Sequence, residues 1–463
     1  MIEKLEEKIN RIKRRSDPKI VGVVIFMVFG AALLFGMEMT NNYKRKKQQT
    51  QDEYNRTMFE MIGYIKNVEV ELAKLQVTTT PNLTAQTLAD IWRQSNLAKV
   101  DLAAIPVEQN SMSNTSKFLT QLSDFSYSLM KQTISDQKIL NEQYDQIKEL
   151  YSQSKQLSSV SNDIYNDLNE GRLKWDELEK VGNEKLDTSV ESQAVSDVSN
   201  IGKALQQYEG LIYDGAFSDH ILTIKPKYIE QGKEVSEQDA ENKIKEVIGE
   251  DKIEEITYGG ISEGQLELYN YKVKLKEQEN LYTVDITKQG GKLYLMLSDR
   301  NVESESITMD QAKKNGLEFL KTLGIEDVKD TYYIKYENMA TINYAGVQDG
   351  VVLYPDLIKI KVALDTGEVC SAELEGYIYN HTKRTDITPN ITMDQAKSVL
   401  NKNIVVQSQN LAIIPTDSKN EVLCYEFKGS IDERNFLIYI NAKTGQEEKV
   451  LLIIDTPGGI LTM

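Results

Sequence analysis

Two short runs contain the side-chain types that hydrolases use. Ser218-Asp219-His220 supplies a hydroxyl, a carboxylate and an imidazole. Three consecutive residues cannot form a catalytic relay, because that geometry is assembled from distant chain positions. Glu447 and Glu448 form a carboxylate pair of the kind that glycosidases use. Adjacent residues of a strand face opposite sides of a sheet, so these carboxylates cannot flank one bond. Neither run predicts catalysis.

Histidine and cysteine are too scarce for most metal sites and acid–base relays. The chain has two of each: His220, His381, Cys370 and Cys424. The cysteines lie in strand patterns far apart in the sequence, where we expect buried free thiols; a disulfide is the alternative, which spacing cannot decide. His381 is expected at the polar end of a strand. No P-loop, G-x-G-x-x-G motif or nucleophile elbow is present. We therefore expect no enzyme activity, no cofactor and no metal.

The composition is that of a globular protein with an acidic body. The 463 residues are 40% hydrophobic and 27% charged, which suits about two to four domains. The net charge of −17 is uneven, because residues 1–47 carry 11 Lys and Arg against 5 Asp and Glu. The acidic remainder lacks the basic surface that binds phosphate backbones. Neither nucleic acid nor a small-molecule substrate is therefore expected.

Residues 20–37 form an uninterrupted apolar run that predicts a transmembrane helix. At 1.5 Å per residue the run is about 27 Å long, close to the roughly 30 Å of a bilayer's hydrocarbon core. A cleaved signal peptide is the alternative, but bulky residues follow the run where cleavage needs small ones. The basic surplus precedes the run. We therefore expect a single-pass anchor with a cytoplasmic tail at 1–19 and an extracytoplasmic body.

Residues 48–182 have apolar residues spaced by three and four, which predicts helices. The run TTTPN at 78–82 is expected to end the first helix, with Thr84 capping the second. Serines interrupt the apolar stripe later in the region, so an antiparallel bundle is a better interpretation than a long coiled coil. Residues 183–204 are polar and Ser-rich, and they predict a linker.

A repeated heptapeptide predicts three helix starts in the C-terminal half. ITMDQAK occurs at 307–313 and at 391–397, and a looser copy, VSEQDAE, lies at 235–241. The second residue of each copy is the expected N-cap, and glutamine stands three residues later in the two close copies, as a capping box requires. The expected N-caps are Ser236, Thr308 and Thr392. Spacings of 72 and 84 residues indicate one module used three times.

After each helix start, apolar and polar residues alternate around turn signals, as in antiparallel strands. The turns are expected at 277–280, 288–291, 365–367 and 443–445. The predicted modules are 205–300, 301–384 and 385–463. The predicted fold is thus α+β: a single transmembrane helix, an antiparallel helical bundle, and three repeats of a helix plus an antiparallel sheet.

The modules and their order resemble known families. A helix opening with [VI]-[ST]-x-x-x-A, followed by strands around a glycine turn, is similar to the PepSY module. Nearly the whole chain resembles the YpeB family of spore-germination proteins, on WRQSNLAKVDLAAIP at 92–106, YDGAFSDHI at 213–221, YPDLIKIKVALDTGEV at 354–369 and the three PepSY-like repeats. The resemblance implies a protein of the spore inner membrane. It also implies a partner, a cortex-lytic peptidoglycan hydrolase of the SleB type, which the protein localises, stabilises and restrains.

The box YDGAFSDHI has two interpretations. A structural role is the first, since Gly215 permits a turn and the aromatic residues can pack against the first repeat. Contact with the partner is the second, through Tyr213, Asp214, Phe217, Asp219 and His220. For the whole chain, the alternative function is an extracytoplasmic PepSY sensor or regulator of a protease or other cell-wall enzyme. A wall hydrolase is a further alternative, which the shortage of catalytic residues opposes.

Overall fold

The structure is a computed structural model. It describes residues 18–106, 113–135, 137–172, 174–175, 225–262, 264, 266–276, 280–416, 420–456 and 459–463, with 18–33 placed as helical backbone. The linker expected at 183–204, and the tail expected at 1–19 apart from its last two residues, lie outside these ranges. Within the described part of the chain, no helix combines the length and the apolar character needed to cross a membrane.

Long helices build the N-terminal region, as the apolar spacing predicts. Their bounds are Pro18–Leu75 (α1), Pro81–Ala104 (α2), Ser113–Ile134 (α3) and Asn141–Asn169 (α4). Helix α1 is continuous from the predicted membrane segment into the helical region. It packs against α2 and α4, and α2 packs against α3. The shared core includes Met61, Ile65, Leu88, Leu122 and Ile147.

The start of α2 differs from the prediction. Its N-cap is Thr80, and Pro81 occupies the first helical position. Thr84 lies inside the helix, where its hydroxyl donates to the Thr80 carbonyl at 2.7 Å. Proline is favoured at a helix start because its φ is already helical and its missing N–H would have no partner there. The TTTPN run therefore begins α2 itself.

Each copy of the heptapeptide begins a helix. These helices are Glu237–Ile248 (α5), Met309–Thr322 (α6) and, after the short helix Glu375–Asn380 (α7), Met393–Lys397 (α8). Ser236 and Thr392 form complete capping boxes. At Thr308 the box is incomplete: the hydroxyl accepts from the Gln311 backbone N–H at 3.3 Å, but the Gln311 side chain donates to Asn315 instead.

The strands of the described residues form one sheet. Their bounds are Ile253–Ser262 (β1), Leu268–Leu275 (β2), Leu281–Thr287 (β3), Leu293–Ser298 (β4), Val328–Tyr336 (β5), Met339–Gln348 (β6), Val351–Ala363 (β7), Val369–Glu373 (β8), Val405–Pro415 (β9), Glu421–Ile431 (β10), Arg434–Asn441 (β11), Glu447–Thr456 (β12) and Gly459–Thr462 (β13). The order is β1-β2-β3-β4-β8-β7-β6-β5-β13-β12-β11-β10-β9. The α+β class is confirmed.

Pairings between the repeats join them into one body. Strand β4 pairs with β8, and β13 pairs with β5, both antiparallel. A parallel pairing of β7 with β9 closes the strands from β7 through β5, β13 and β10 to β9 into a ring. The first two repeats share one hydrophobic core, and the third shares a core with α1, where Val70 and Ala73 belong to the same cluster as Phe427 and Ile438.

Glycine forms the turns that the sequence predicts with it. Gly290, Gly367 and Gly445 have φ of +80°, +80° and +78°; the turn expected at 277–280 lies largely outside the described residues. The β10–β11 hairpin is different, because Asp432 and Glu433 adopt φ of +48° and +63° without glycine. That turn is not predicted from the sequence, which has no glycine at these positions.

Candidate functional site

The residues considered for partner contact, Tyr213, Asp214, Phe217, Asp219 and His220, lie outside the described residues, as does Ser218. In the part of the chain that is described, polar side chains gather at two junctions. The first joins the helical region to the third repeat. The second joins the second and third repeats.

The first junction is built around Glu447, at the start of β12. Its Oε2 accepts hydrogen bonds from the backbone N–H groups of Thr79 and Thr80 at 2.7 and 2.9 Å, and from the Thr80 hydroxyl at 3.2 Å. These donors precede α2, so a carboxylate from the sheet supplies the helix cap that the Thr80 side chain does not. The side chain is shielded from water, since Glu447 is only 2% exposed.

Burial makes this contact sensitive to protonation. It raises the pKa of Glu447 above its ordinary value, although the hydrogen bonds from Thr80 and Thr79 partly oppose the rise. Among the described residues, Glu447 Oε1 is buried without a hydrogen-bond partner. A buried charge with one unsatisfied oxygen is costly. The neighbouring Glu448 accepts from the Asn441 amide at 2.7 Å, so the two carboxylates serve different partners.

Gln76, just after α1, is held by the third repeat. The Asn401 amide donates to its backbone carbonyl at 3.1 Å, and Arg434 donates to its side-chain oxygen at 3.1 Å. The Arg434 guanidinium also lies over the ring of Tyr151 in α4, 4.8 Å from the centroid. Together with the shared core, these contacts make the helical region and the third repeat one packed unit.

The second junction fixes the segment that follows α7. Asp356 is fully buried, and two guanidinium nitrogens of Arg384 donate to its two oxygens at 2.6 and 2.7 Å. Arg384 also donates to both oxygens of Glu421 in β10, at 2.8 and 3.1 Å. Burial alone would lower the pKa of Arg384, but its bonds to Glu421 and Asp356 outweigh burial and raise that pKa. The guanidinium therefore stays charged and bridges β7 to β10.

His381 lies at this junction and not at the end of a strand, which corrects the sequence-based expectation. It follows α7, its Nδ1 is 2.7 Å from Asp356 Oδ2, and its ring stacks on Tyr377 with centroids 4.1 Å apart. An Asp–His pair is also part of a hydrolase triad. Here, however, Arg384 already binds both oxygens of Asp356, so the group works as an ion-pair network that fixes the chain.

A third polar group is enclosed by the ring of strands. The Tyr354 hydroxyl donates to Glu426, and the Asn410 amide donates to the other Glu426 oxygen at 3.3 Å. The Tyr439 ring lies edge-on to that of Tyr354, 6.1 Å away. Burial raises the pKa of both tyrosines well above the ordinary value, so they remain neutral. This group is part of the core.

The cysteines are free and buried, as the strand pattern predicts. Burial raises the pKa of the Cys370 and Cys424 thiols, which keeps them protonated and unreactive. No cluster of His, Cys, Asp and Glu in the described ranges is arranged to hold a metal ion.

Family models match successive parts of the chain. The model described as YpeB N-terminal matches residues 42–177. The model for the YpeB sporulation PepSY1 and PepSY2 domains matches 194–387, and the peptidase propeptide and YPEB domain model, PepSY, matches 390–451. The matches thus follow the order of helical region and repeats.

Individual relatives agree with these matches. Sporulation protein YpeB of Bacillus subtilis (strain 168) is 27% identical over 407 residues, which are 86% of this chain and 89% of the relative. Sporulation protein YpeB of Halalkalibacterium halodurans is 27% identical over 414 residues, 87% of this chain and 90% of the relative. The solved Bacillus megaterium YpeB C-terminal domain is 33% identical with a TM-score of 0.44, covering 48% of this chain and 99% of that domain. This chain belongs to the YpeB family of sporulation proteins.

Proposed function

We propose that this chain is a non-enzymatic, membrane-anchored spore-germination protein that localises, stabilises and restrains a cortex-lytic peptidoglycan hydrolase of the SleB type. The sporulation context is supported by the curated relatives, which are named sporulation protein YpeB. The hydrolase would be held by the extracytoplasmic body at the spore inner membrane. Within each of the two junctions, the polar side chains bind other groups of the same chain, which suits a structural protein.

Residues 20–37 would form the anchor, with the tail at 1–19 in the cytoplasm. The apolar run and the basic residues before it support this topology. The repeats at 205–300, 301–384 and 385–463 would then lie outside the membrane, after the helical region at 48–182 and the linker at 183–204.

The observation that carries the proposal is the packing of the C-terminal end of α1 against the third repeat. Helix α1 has 58 residues, about 87 Å at 1.5 Å per residue. The chain just beyond its C-terminal end is fixed to the third repeat through Glu447 and a shared core. Such a connection would hold a repeat-bound partner at a set distance from the membrane.

The partner is proposed to contact the repeats and the box containing Tyr213, Asp214, Phe217, Asp219 and His220. Strand β1, at the end of the sheet order, supports binding of a protein at the first repeat. Tyr258 and Ile261 on this strand are 39% and 43% exposed. Exposed edge strands with apolar side chains are common sites of protein association.

Co-purification from dormant spores tests the proposed contact. The tagged full-length chain should retain the hydrolase through detergent washes, as detected by immunoblotting and peptidoglycan zymography. Glu447→Ala leaves the Thr79 and Thr80 donors unpaired, so the repeats should be held less firmly and less hydrolase recovered. Glu448→Ala is the matched control. Failure of the unaltered chain to retain the hydrolase would contradict the proposal and favour the PepSY sensor.

A further inference from the structure

A polar cleft of about 690 Å³ lies between α4 and the third repeat. That volume is within the roughly 300–1,000 Å³ typical of ligand sites. It is lined by residues of α4, of the third repeat and of the chain just after α1. Two of its lining residues, Gln76 and Asn401, hydrogen-bond to each other at the first junction, so the cleft lies where the helical region and the third repeat meet.

One wall is a single face of α4. Asn141, Tyr144, Asp145 and Lys148 are spaced by three, four and seven residues, which places them side by side on a helix. The Tyr144 ring is half-buried and the other three are exposed. This face therefore carries polar side chains and an aromatic ring in fixed positions.

The remaining lining residues belong to the third repeat and, for Gln76, to the chain just after α1. Asn401, Asn403 and Val405 lead into β9, and Asp432 lies at the β10–β11 turn. Gln76 is held in place by hydrogen bonds from Asn401 and Arg434. The lining residues are thus held by packed elements, so less conformational entropy would be lost when a ligand binds.

Several groups facing the cleft remain available to a ligand. Toward other described residues, the side-chain amides of Asn141 and Asn403 and the hydroxyl of Tyr144 make no hydrogen bond. Each side-chain amide offers two N–H donors and an acceptor oxygen, and the tyrosine hydroxyl can both donate and accept a hydrogen bond. The lining charges nearly cancel, since Lys148 and Asp145 carry opposite charges on the same face of α4 and Asp432 is 3.5 Å from Arg434. Polyanionic ligands are therefore disfavoured.

We propose that this cleft binds a neutral glycan containing N-acetylated amino sugars. Side-chain amides can pair with both the N–H and the C=O of an acetamido group and with neighbouring sugar hydroxyls, while the Tyr144 ring offers an apolar face to a pyranose ring. An extended peptide fits less well, because apolar side chains that could receive its anchors are confined to Val405 and Ile431. This inference goes beyond the proposed function, since it needs no hydrolase partner.

Binding of a β-1,4-linked N-acetylglucosamine tetrasaccharide to the purified full-length chain tests the proposal, by calorimetry and saturation-transfer NMR. Cellotetraose, which has the same linkage without acetamido groups, is the matched ligand control. Asn403→Ala and Tyr144→Ala should each weaken binding by about tenfold, the effect of losing one well-placed interaction. Tyr127→Ala, an exposed tyrosine on α3, should not change it.

Asn403 is exposed, so its variant should fold even if Tyr144→Ala does not; thermal unfolding checks both. Absence of binding at millimolar tetrasaccharide would overturn the proposal, and so would equal affinity for cellotetraose. Binding that neither cleft variant weakens would place the ligand elsewhere and also overturn it. If extended peptides bound more tightly than the tetrasaccharide and displaced it, the cleft would be assigned to a polypeptide instead, which would also overturn the proposal.

Discussion

The buried carboxylate of Glu447 predicts a pH-dependent junction. Its pKa in the folded chain is raised above the ordinary value of 4.5. An acid whose pKa is higher in the folded than in the unfolded chain binds its proton more tightly in the folded chain, and this adds to the free energy of unfolding. The added stability is fully present below the unfolded-state pKa and is lost as the pH rises through the folded-state pKa. Glutamine cannot titrate. The unaltered chain should therefore lose stability relative to Glu447→Gln as the pH rises above the ordinary value of 4.5, measured by denaturant unfolding. Parallel pH profiles would contradict this.

The helix caps make a second prediction at the residue scale. Replacing Thr308 or Thr392 by Ala should cost about 1 kcal/mol each, the usual effect of losing an N-cap. Of the two glutamines, Gln395 completes its capping box and Gln311 does not, so Gln395→Ala should loosen α8 more than Gln311→Ala loosens the first turn of α6. Native-state hydrogen exchange of the two helices measures both effects. Unchanged exchange in both threonine variants would mean that these hydroxyls do not cap the helices.

Some contacts between residues near in sequence could be predicted, whereas contacts between distant residues could not. Thr392 and Ser236 find their capping partners three residues away. Glu447 and Thr80 are 367 residues apart, so no spacing rule relates them. Asp356 interrupts an apolar strand, which is a signal of a buried ion pair, but its partner Arg384 is 28 residues away. The role of His381 was missed because it depends on that pair.

At the scale of single elements, the β10–β11 hairpin predicts a stabilising substitution. Glu433 adopts φ of +63°, a conformation that costs most residues roughly 1 kcal/mol and glycine very little. Glu433→Gly should therefore raise the stability by about that amount, while Glu433→Ala should not. Denaturant unfolding of the purified chain distinguishes them. Equal stability of the two variants would contradict the strain argument.

The apolar run near the start of α1 allows a prediction of the membrane topology. The apolar run at 20–37 and the basic residues before it predict that everything beyond about residue 40 lies outside the cytoplasm. Protease added to intact forespore protoplasts should digest the body and leave a short anchored fragment. Protection of the whole body would reverse the orientation, and digestion after detergent lysis controls for protease access.

Apolar periodicity was enough to predict the type of element, but not its connections. The spacing of three and four predicts the helices of the N-terminal region, yet α1 extends without a break through the polar stretch before them. The turn at Asp432 was missed because turn prediction depends on glycine, which this hairpin lacks. Strain held by surrounding structure leaves no mark in the sequence.

At the scale of the whole molecule, the repeats are less separate than their sequences suggest. Each has its own helix and strands, but β4 pairs with β8, β13 with β5 and β7 with β9. These pairings join strands from different repeats, so alternation within a repeat cannot reveal them. The hydrophobic core shared by the first two repeats is likewise built from side chains of both repeats, so it cannot be read from either repeat alone. The repeats should therefore act as one body, fixed to α1 at the first junction.

The central claim is that this body retains a cortex-lytic hydrolase, and spores that lack the chain test it most directly. Immunoblotting and peptidoglycan zymography should show little active hydrolase in those spores, and germination should finish slowly. Reintroducing the full-length chain should restore both. Normal amounts and activity of the hydrolase in spores without this chain would contradict the account.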